Sequence, residues 1–146
     1  MNIRIRAAEV ADFEQIIRLI REFTSFEQRP EQMCNSVEKM TEEKEFFHCF
    51  VAETDAGEII GYAAWFFCYY TWSGKAIHLD DLYVQPEYRG KGIGTKLIYK
   101  VLELGKVNNC NRARWQVAKW NKPAIDFYQK LGAEINDVDW NCDLIL

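Results

Sequence analysis

The chain has 146 residues, a formal net charge of −4 and an apolar share of 49%. This length suits one domain whose core needs no disulfide or metal, so we expect a single domain over residues 1–146. The acidic balance and the lack of a basic face argue against nucleic-acid binding. The first residues have no long apolar core of the secretory kind, and no apolar run is long enough to span a membrane, so we expect a cytoplasmic protein without a membrane partner. The five cysteines show no CxxC spacing and predict neither disulfides nor a metal site.

The first half of the chain predicts a strand, two helices and a β-hairpin. "NIRIRAA" alternates apolar and polar residues, as strands do, and the apolar residues that follow recur at helical spacing. A second helix is expected near Pro30, carrying Met33, Val37 and Met40. "FHCFVAET" and "IIGYAAWFFCYY" flank the turn "DAGE" and predict an antiparallel pair. We expect the aromatic run at residues 65–72 to form core and a pocket wall.

The second half predicts strands alternating with helices. "AIHLDDLYV" and "RARWQVA" read as strands, with a helix from Gly92 to Lys106 between them. "KPAIDFYQKLG" predicts a short helix ended by Gly132, and "DWNCDLIL" a last strand. The order β-α-α-β-β-β-α-β-α-β predicts a mixed α/β (α+β) domain, with a mostly antiparallel central sheet flanked by helices.

The segment "RGKGIG", residues 89–94, joins a strand to a helix and combines glycines with cations. The first amides of a helix have no partner within it and lie at its positive end, so a phosphate placed there is stabilised. Glycines allow close approach, and Arg89 and Lys91 add positive charge. A plain chain reversal would explain the glycines equally well. A P-loop and a dinucleotide fingerprint both require spacings that are absent here.

This segment resembles the acetyl-coenzyme A signature of the GNAT N-acetyltransferase superfamily, with Arg89, Gly92 and Gly94 in its fixed positions. "FHCFVAE", "LDDLYVQPEYRGKGIGTKL" and "VAKWNKPAIDFYQKLGA" are similar to the branch that acetylates spermidine, spermine and thialysine. The resemblance implies the GNAT fold and acetyl-CoA as cosubstrate, with no metal. It also implies transfer to a primary amine of a small molecule, and a homodimer paired through the last strand.

The resemblance places the catalytic base at Asp80, where the family commonly has Glu, and the catalytic acid at Tyr128. A primary amine with a pKa of about 10.4 must lose its proton before it can attack, and a carboxylate can accept that proton directly or through water. Adjacent strand residues point to opposite faces, so Asp80 and Asp81 share a site only if the strand is bulged. The alternatives are solvated carboxylates at both aspartates and a core tyrosine at Tyr128.

The resemblance also implies contacts to both substrates. The residues expected at the cofactor, mostly through the main chain, are Leu82, Tyr83, Val84, Arg89, Gly90, Lys91, Gly92, Ile93, Gly94, Thr95, Asn121, Pro123 and Ala124. A backbone N–H near Leu82 is the expected oxyanion donor. The residues expected at the amine are Glu27, Asp80, Asp81 and Trp115. Arg114 and Lys119 add cations in this region, which would repel a spermidine tail and welcome a carboxylate.

Two other functions remain open at this stage. The same glycine-rich segment, residues 89–94, which we call the cradle, could hold an acyl-CoA as a regulatory ligand without chemistry. Alternatively, the enzyme could acetylate protein N-termini. His48 and His78 have no paired metal ligand in the sequence, and we expect structural or surface roles for both.

Overall fold

The computed structural model describes residues 2–146, and contacts within the chain divide it into two units. The larger unit, up to Gln116, carries a five-stranded sheet and three α-helices, and the smaller unit, from Val117, carries one helix. The strands are β1 (Ile3–Ala7), β2 (His48–Thr54), β3 (Ile59–Tyr70), β4 (Gly74–Val84) and β5 (Arg112–Arg114). The helices are α1 (Phe13–Phe26), α2 (Val37–Glu42), α3 (Ile93–Val107) and α4 (Lys122–Lys130). None of these helices is long and apolar enough to cross a bilayer.

The sheet has the order β1-β2-β3-β4-β5. The first four strands pair antiparallel, and β5 lies parallel to β4 because α3 connects them. This confirms the predicted α/β class and the predicted hairpin of β2 and β3. The mixed sheet therefore has β4, the strand with the two aspartates, between an antiparallel and a parallel neighbour.

One face of the sheet packs against α1. The apolar stripe of α1 includes Ile16 and Ile17, which are fully buried in one cluster with Val51, Tyr62 and Tyr83 from the strands. Each fully buried aliphatic side chain of this kind stabilises the fold by about 1.5–3 kcal/mol. The packing of Tyr83 against the helix places the end of α1 beside the last residues of β4.

The opposite face packs against α3, with almost no space between helix and strands. A Cβ added at Gly105 would lie 2.8 Å from Cγ2 of Ile77 on β4, and one added at Gly61 would lie 3.4 Å from Cδ1 of Leu97. These two glycines allow the helix to approach closely, which fixes the start of α3 at the end of β4. The apolar stripe of α3 comprises Ile93, Leu97, Ile98, Val101 and Leu102, which the helical spacing predicts to face inward. All are buried except Leu102, which is half-buried.

The second helix begins later than predicted. Pro30 opens a single 3₁₀ turn (Pro30–Gln32), and Met33 lies outside any helix. Helix α2 starts at Val37 because the hydroxyl of Ser36 accepts a hydrogen bond from the amide of Lys39 at 3.1 Å, which caps the helix. The prediction was wrong because it used the proline and overlooked this serine.

Three further predictions need correction. Residues 139–146 form no strand, and their apolar end stays exposed. Apolar residues alone do not make a strand, since its backbone groups also need hydrogen-bond partners. Strand β5 ends at Arg114 instead of continuing to Ala118. The aromatic run is largely exposed and not core, since Tyr69 and Trp72 at the tip of the β3–β4 hairpin project into solvent.

The smaller unit is organised by the two ends of α4. The side-chain oxygen of Asn121 accepts from the amide of Ala124 at 3.3 Å, which caps the start. At the other end Gly132 has φ +91°, and the amides of Gly132 and Ala133 donate to the carbonyls of Gln129 and Tyr128. This pair of bonds satisfies the last carbonyls of the helix and confirms the predicted glycine end.

Candidate active site

A β-bulge in β4 lies at the two predicted acidic residues. Ala64 of β3 pairs with Asp81, and the next residue, Trp65, pairs with Leu79, so Asp80 is the extra residue without a partner on β3. A bulge breaks the strict alternation of side chains and re-aims the extra one. The side chain of Asp80 is exposed and makes no hydrogen bond or ion pair with any residue of the described chain. Its carboxylate is therefore available to a ligand.

Asp81 occupies a different environment from its neighbour. Its carboxylate is largely buried on the α1 face and accepts a hydrogen bond of 2.9 Å from the hydroxyl of Tyr62. Burial, together with the charges of Asp80 and Glu27, raises the pKa of Asp81 to about 6, against the opposing effect of the Tyr62 bond. The two adjacent carboxyl groups thus have different chemistry, one solvated and one poised near neutral pH.

Glu27 closes the site from the end of α1. It is the residue that follows the helix, its carboxylate is mostly shielded, and Arg29 donates to it at 3.1 Å. Its charge acts on Asp81, so the structure brings together three of the four predicted amine-side residues. The fourth, Trp115, is half-buried immediately after the end of β5.

Four side chains continue this face of the sheet beyond the bulge, and we call them the β3–β5 patch: Phe66, Tyr70, His78 and Arg114. His78 pairs with both Phe66 and Arg114 across the sheet and stacks on the Phe66 ring at 4.8 Å. The Tyr70 hydroxyl lies 3.4 Å from Nδ1 of His78, and the guanidinium of Arg114 lies 4.4 Å from the centre of the Tyr70 ring. His78 precedes Asp80 by two residues, so the patch adjoins the bulge.

Strand β4 has an open edge beside the bulge. Strand β5 pairs with β4 only at residues Ala76 to His78. From Leu79 to Val84 the partners of β4 lie on β3 alone, and Asp80 has none. The predicted oxyanion donor near Leu82 belongs to this stretch. An open strand edge of this kind can accept an extended ligand through main-chain hydrogen bonds.

The predicted cradle follows directly at the start of α3. None of the six consecutive amides from Gly90 to Thr95 donates to an acceptor within residues 2–146. Gly90 and Gly92 have φ of +76° and +78°, and a Cβ added at either would meet nothing within 4 Å. The glycines are therefore required by backbone conformation, and the space beside them is open. Unpaired amides at a helix start with open space beside them fit a pyrophosphate.

The side chains before the cradle brace it. Nε of Arg89 donates to the carbonyl of Val84 at 2.8 Å, and its guanidinium lies 4.9 Å from the Phe26 ring. Tyr83 is buried, and its hydroxyl donates to Glu22 at 3.2 Å. Tyr83 can therefore reach a cofactor only through its main chain. Arg89 ties the loop to the strand end, a role that the sequence did not indicate.

The other predicted site residues lie in the smaller unit, on and just before α4. Ala124 and Tyr128 are four residues apart and share one face of the helix, and Tyr128 is buried. Asn121 and Pro123 form the capped start. Lys119 lies within ion-pair distance of Asp137, 3.6 Å, with both side chains exposed.

Two other kinds of chemistry find no support in the described chain. Residues 2–146 contain no group of three His, Cys, Asp or Glu side chains that could hold a metal ion. Burial raises the pKa of the Cys49 thiol far above its usual range, so this cysteine is a poor nucleophile.

Sequence reasoning missed three residues of the site. Tyr62 and Glu22 fix Asp81 and Tyr83 by hydrogen bonds, and Tyr70 supports Arg114. Tyr62 could have been found only from the strand register, because Tyr62 pairs with Tyr83 and is therefore diagonal to Asp81. That register depends on the bulge, which no local pattern indicates.

Unpaired amides at a helix start, together with two carboxylates of different chemistry on the preceding strand, are features that suit a transferase with a phosphate-bearing donor and a basic acceptor. Residues 12–133 match the model of the "Acetyltransferase (GNAT) family". The chain therefore belongs to the GNAT family and is an N-acetyltransferase, which confirms the resemblance noted from its sequence. Enzymes of this family use acetyl-CoA.

Three comparisons specify the relationship. The thialysine N-epsilon-acetyltransferase of Bos taurus is 40% identical over 96% of this chain and 90% of its own length. The spermidine/spermine N(1)-acetyltransferase-like protein 1 of Homo sapiens is 30% identical over 89% of this chain, but over only 20% of its own length. An aminoglycoside N-acetyltransferase solved with CoA has a TM-score of 0.78 at 20% identity, covering 97% of this chain and 95% of that one, and shows the shared fold. Homology at about 40% supports acetylation of a small-molecule amine.

Proposed function

We propose that this enzyme transfers the acetyl group of acetyl-CoA directly to the terminal primary amine of a lysine-like amino acid such as thialysine, or of a diamine or polyamine. The observation that carries the proposal is the run of six unpaired amides beside the bulge that exposes Asp80. The thialysine-acetylating relatives at about 40% identity support the amino acid as the first choice.

The donor binds along the open edge of β4 and at the start of α3. The amides from Gly90 to Thr95 hold the pyrophosphate, and the exposed Lys91 adds a positive charge. Acetyl-CoA supplies an acyl group activated as a thioester. Side-chain substitutions in this loop should have small effects unless they change the glycine backbone.

Asp80 accepts the proton of the incoming ammonium, directly or through water, which frees the nitrogen lone pair for attack on the thioester carbon. Asp81 and Glu27 add the negative potential that holds the cation nearby. A main-chain N–H near Leu82 stabilises the negative charge that develops on the thioester carbonyl oxygen during the attack. The exposed Asp80 can reach the amine and accept its proton, and the largely buried Asp81 contributes negative potential without being the base.

Tyr128 donates its phenolic proton to the departing thiolate when the carbon–sulfur bond breaks. A phenol of pKa about 10 stays protonated at neutral pH and is therefore a reliable donor. In this proposal Asn121, Pro123 and Ala124, at the start of the same helix, also contact the CoA.

The enzyme is proposed to act as a homodimer. The support is the apolar C-terminal end, where Leu144, Ile145 and Leu146 are almost fully exposed and so invite a covering surface. Sedimentation at micromolar concentration should show twice the chain mass of 17.2 kDa. A single species of 17.2 kDa would contradict the dimer.

The test of the activity is CoA release over a panel of amines: thialysine, lysine, diamines, spermidine and peptide N-termini. We expect thiol release with small amines, and its loss in Asp80→Asn but not in the exposed control Asp55→Asn. Release with peptide N-termini alone would favour a protein N-terminal acetyltransferase. Binding of acetyl-CoA without thiol release for any amine would contradict the proposed function.

A further inference from the structure

The β3–β5 patch places a cation at the end of an otherwise acidic site. Glu27, Asp80 and Asp81 surround the bulge, whereas Arg114 is exposed on β5 beside His78. None of the ion pairs among the described residues involves Arg114. A guanidinium without a counter-charge next to an acidic site disfavours a ligand with positive charge along its whole length.

Arg114 is held in place by aromatic packing and not by a counter-charge. Its guanidinium lies 4.4 Å from the centre of the Tyr70 ring, and the Tyr70 hydroxyl lies 3.4 Å from His78. Arg114 also forms a side-chain hydrogen bond with Tyr70. A guanidinium has five N–H donors, so others remain that can match a carboxylate with two parallel hydrogen bonds. The position is therefore organised before a ligand arrives.

The spacing between Arg114 and the bulge suits an amino acid. Asp80 lies two residues along β4 from the partner of Arg114 and one strand away, which puts the two Cα atoms about 8 Å apart. The six bonds between the carboxylate carbon and the side-chain nitrogen of lysine, each about 1.5 Å, span roughly 7.5 Å when extended. A hydrogen bond at each end extends this reach to both side chains.

The residue between the two charges, His78, is shifted toward its neutral form. Burial lowers the pKa of His78, which outweighs the opposing effect of the Asp80 charge. A ligand lying over His78 therefore meets negative charge at the bulge, no charge in the middle and positive charge at Arg114. This order of charges complements the side-chain ammonium and the α-carboxylate of an amino acid that carries an amine at the end of its side chain.

We propose that Arg114 binds the α-carboxylate of an amino-acid acceptor whose side-chain amine reaches Asp80, and so selects amino acids over diamines and polyamines. The inference rests on the proposed function, because it assigns a second contact within the same site. Arg114 is a specificity-determining residue and has no part in the proton transfers.

The experiment compares two acceptors that differ only in the carboxylate: thialysine and its decarboxylated counterpart, bis(2-aminoethyl) sulfide. We expect Arg114→Gln to lower kcat/KM for thialysine about 10- to 100-fold, chiefly through KM, because a charged hydrogen-bonded contact is lost. The value for the diamine should stay the same or rise. Arg114→Lys should restore part of the loss, and Arg112→Gln on the same strand is the charge-matched control.

The outcomes distinguish a failure of the Arg114 assignment from a failure of the proposed function. A fall of equal size for both acceptors, or no change for thialysine, would overturn the role of Arg114 while acetyl transfer itself stood. Turnover of the diamine but not of thialysine by the unmodified enzyme would also overturn it. No CoA release with either acceptor, or with any other amine, would defeat the proposed function and this inference with it. Thermal unfolding of each variant shows whether the chain remains folded.

Discussion

Replacing Asp81 by Asn should stabilise the protein at alkaline pH and much less at acidic pH. Asp81 is largely buried beside two other acids, and its pKa rises from an ordinary 3.8 to about 6. The folded state therefore binds a proton more tightly than the unfolded state does. Stability must fall as the pH rises from below 3.8 through 6, which is the opposite of an ion-paired carboxylate.

The size of the effect follows from this difference in pKa. One pH unit of difference corresponds to about 1.4 kcal/mol, so the charged Asp81 costs about 3 kcal/mol at pH 8. At pH 4.5 the folded group is protonated and the cost falls to about 1 kcal/mol. Asn keeps an acceptor for the Tyr62 hydroxyl and removes the charge. The gain of the variant over the native protein should therefore be larger at pH 8 by about 2 kcal/mol.

The assay is urea unfolding of both proteins at the two pH values, followed by fluorescence or circular dichroism. The difference in free energy of unfolding between variant and native protein is compared at the two pH values, so that contributions from Asn that do not depend on pH cancel. The control is Asp55→Asn, which removes one carboxylate from an exposed turn and should show no comparable dependence. A gain that is the same at pH 4.5 and pH 8, or a loss that grows with pH, would refute the reasoning about Asp81.

Two further predictions concern proton transfer. Tyr62→Phe removes the hydrogen bond that lowers the pKa of Asp81, so that pKa should rise and the acidic limb of the pH–kcat/KM profile should move to higher pH; an unmoved limb would show that Asp81 does not control it. Tyr128→Phe should lower kcat by roughly 10²–10⁴ with CoA affinity preserved, measured by thiol release and calorimetry. The exposed Tyr99→Phe is its control, and unchanged turnover in the Tyr128 variant would remove it as the acid.

The sequence predicts those parts of the fold that depend on local patterns. The alternation in β1 and the apolar stripes of α1 and α3 reflect periods of 2 and 3.6 residues, and both were interpreted correctly. Gly132 ends α4 as expected because a left-handed conformation favours glycine. The start of α2 was also predictable, since Ser36 is a standard cap that outranks Pro30 as a signal.

The remaining features depend on pairing between distant segments. The bulge at Asp80 arises from the register of β4 against β3, and it alone allows the adjacent aspartates to serve one site in different environments. The patch around Arg114 requires β3, β4 and β5 to meet at His78. The predicted last strand does not form for a related reason. Its apolar residues are typical of a strand, but a strand also needs backbone hydrogen-bond partners from another strand.

The donor site is the central claim, and amide NMR tests it most directly. Addition of coenzyme A to the ¹⁵N-labelled protein should shift the amide resonances of residues 90–95 more than those of the exposed turn around Gly57, because these amides would acquire acceptors that they lack in the free chain. Saturable binding that left the resonances of Gly90 to Thr95 in place, or no binding at millimolar coenzyme A, would contradict the account.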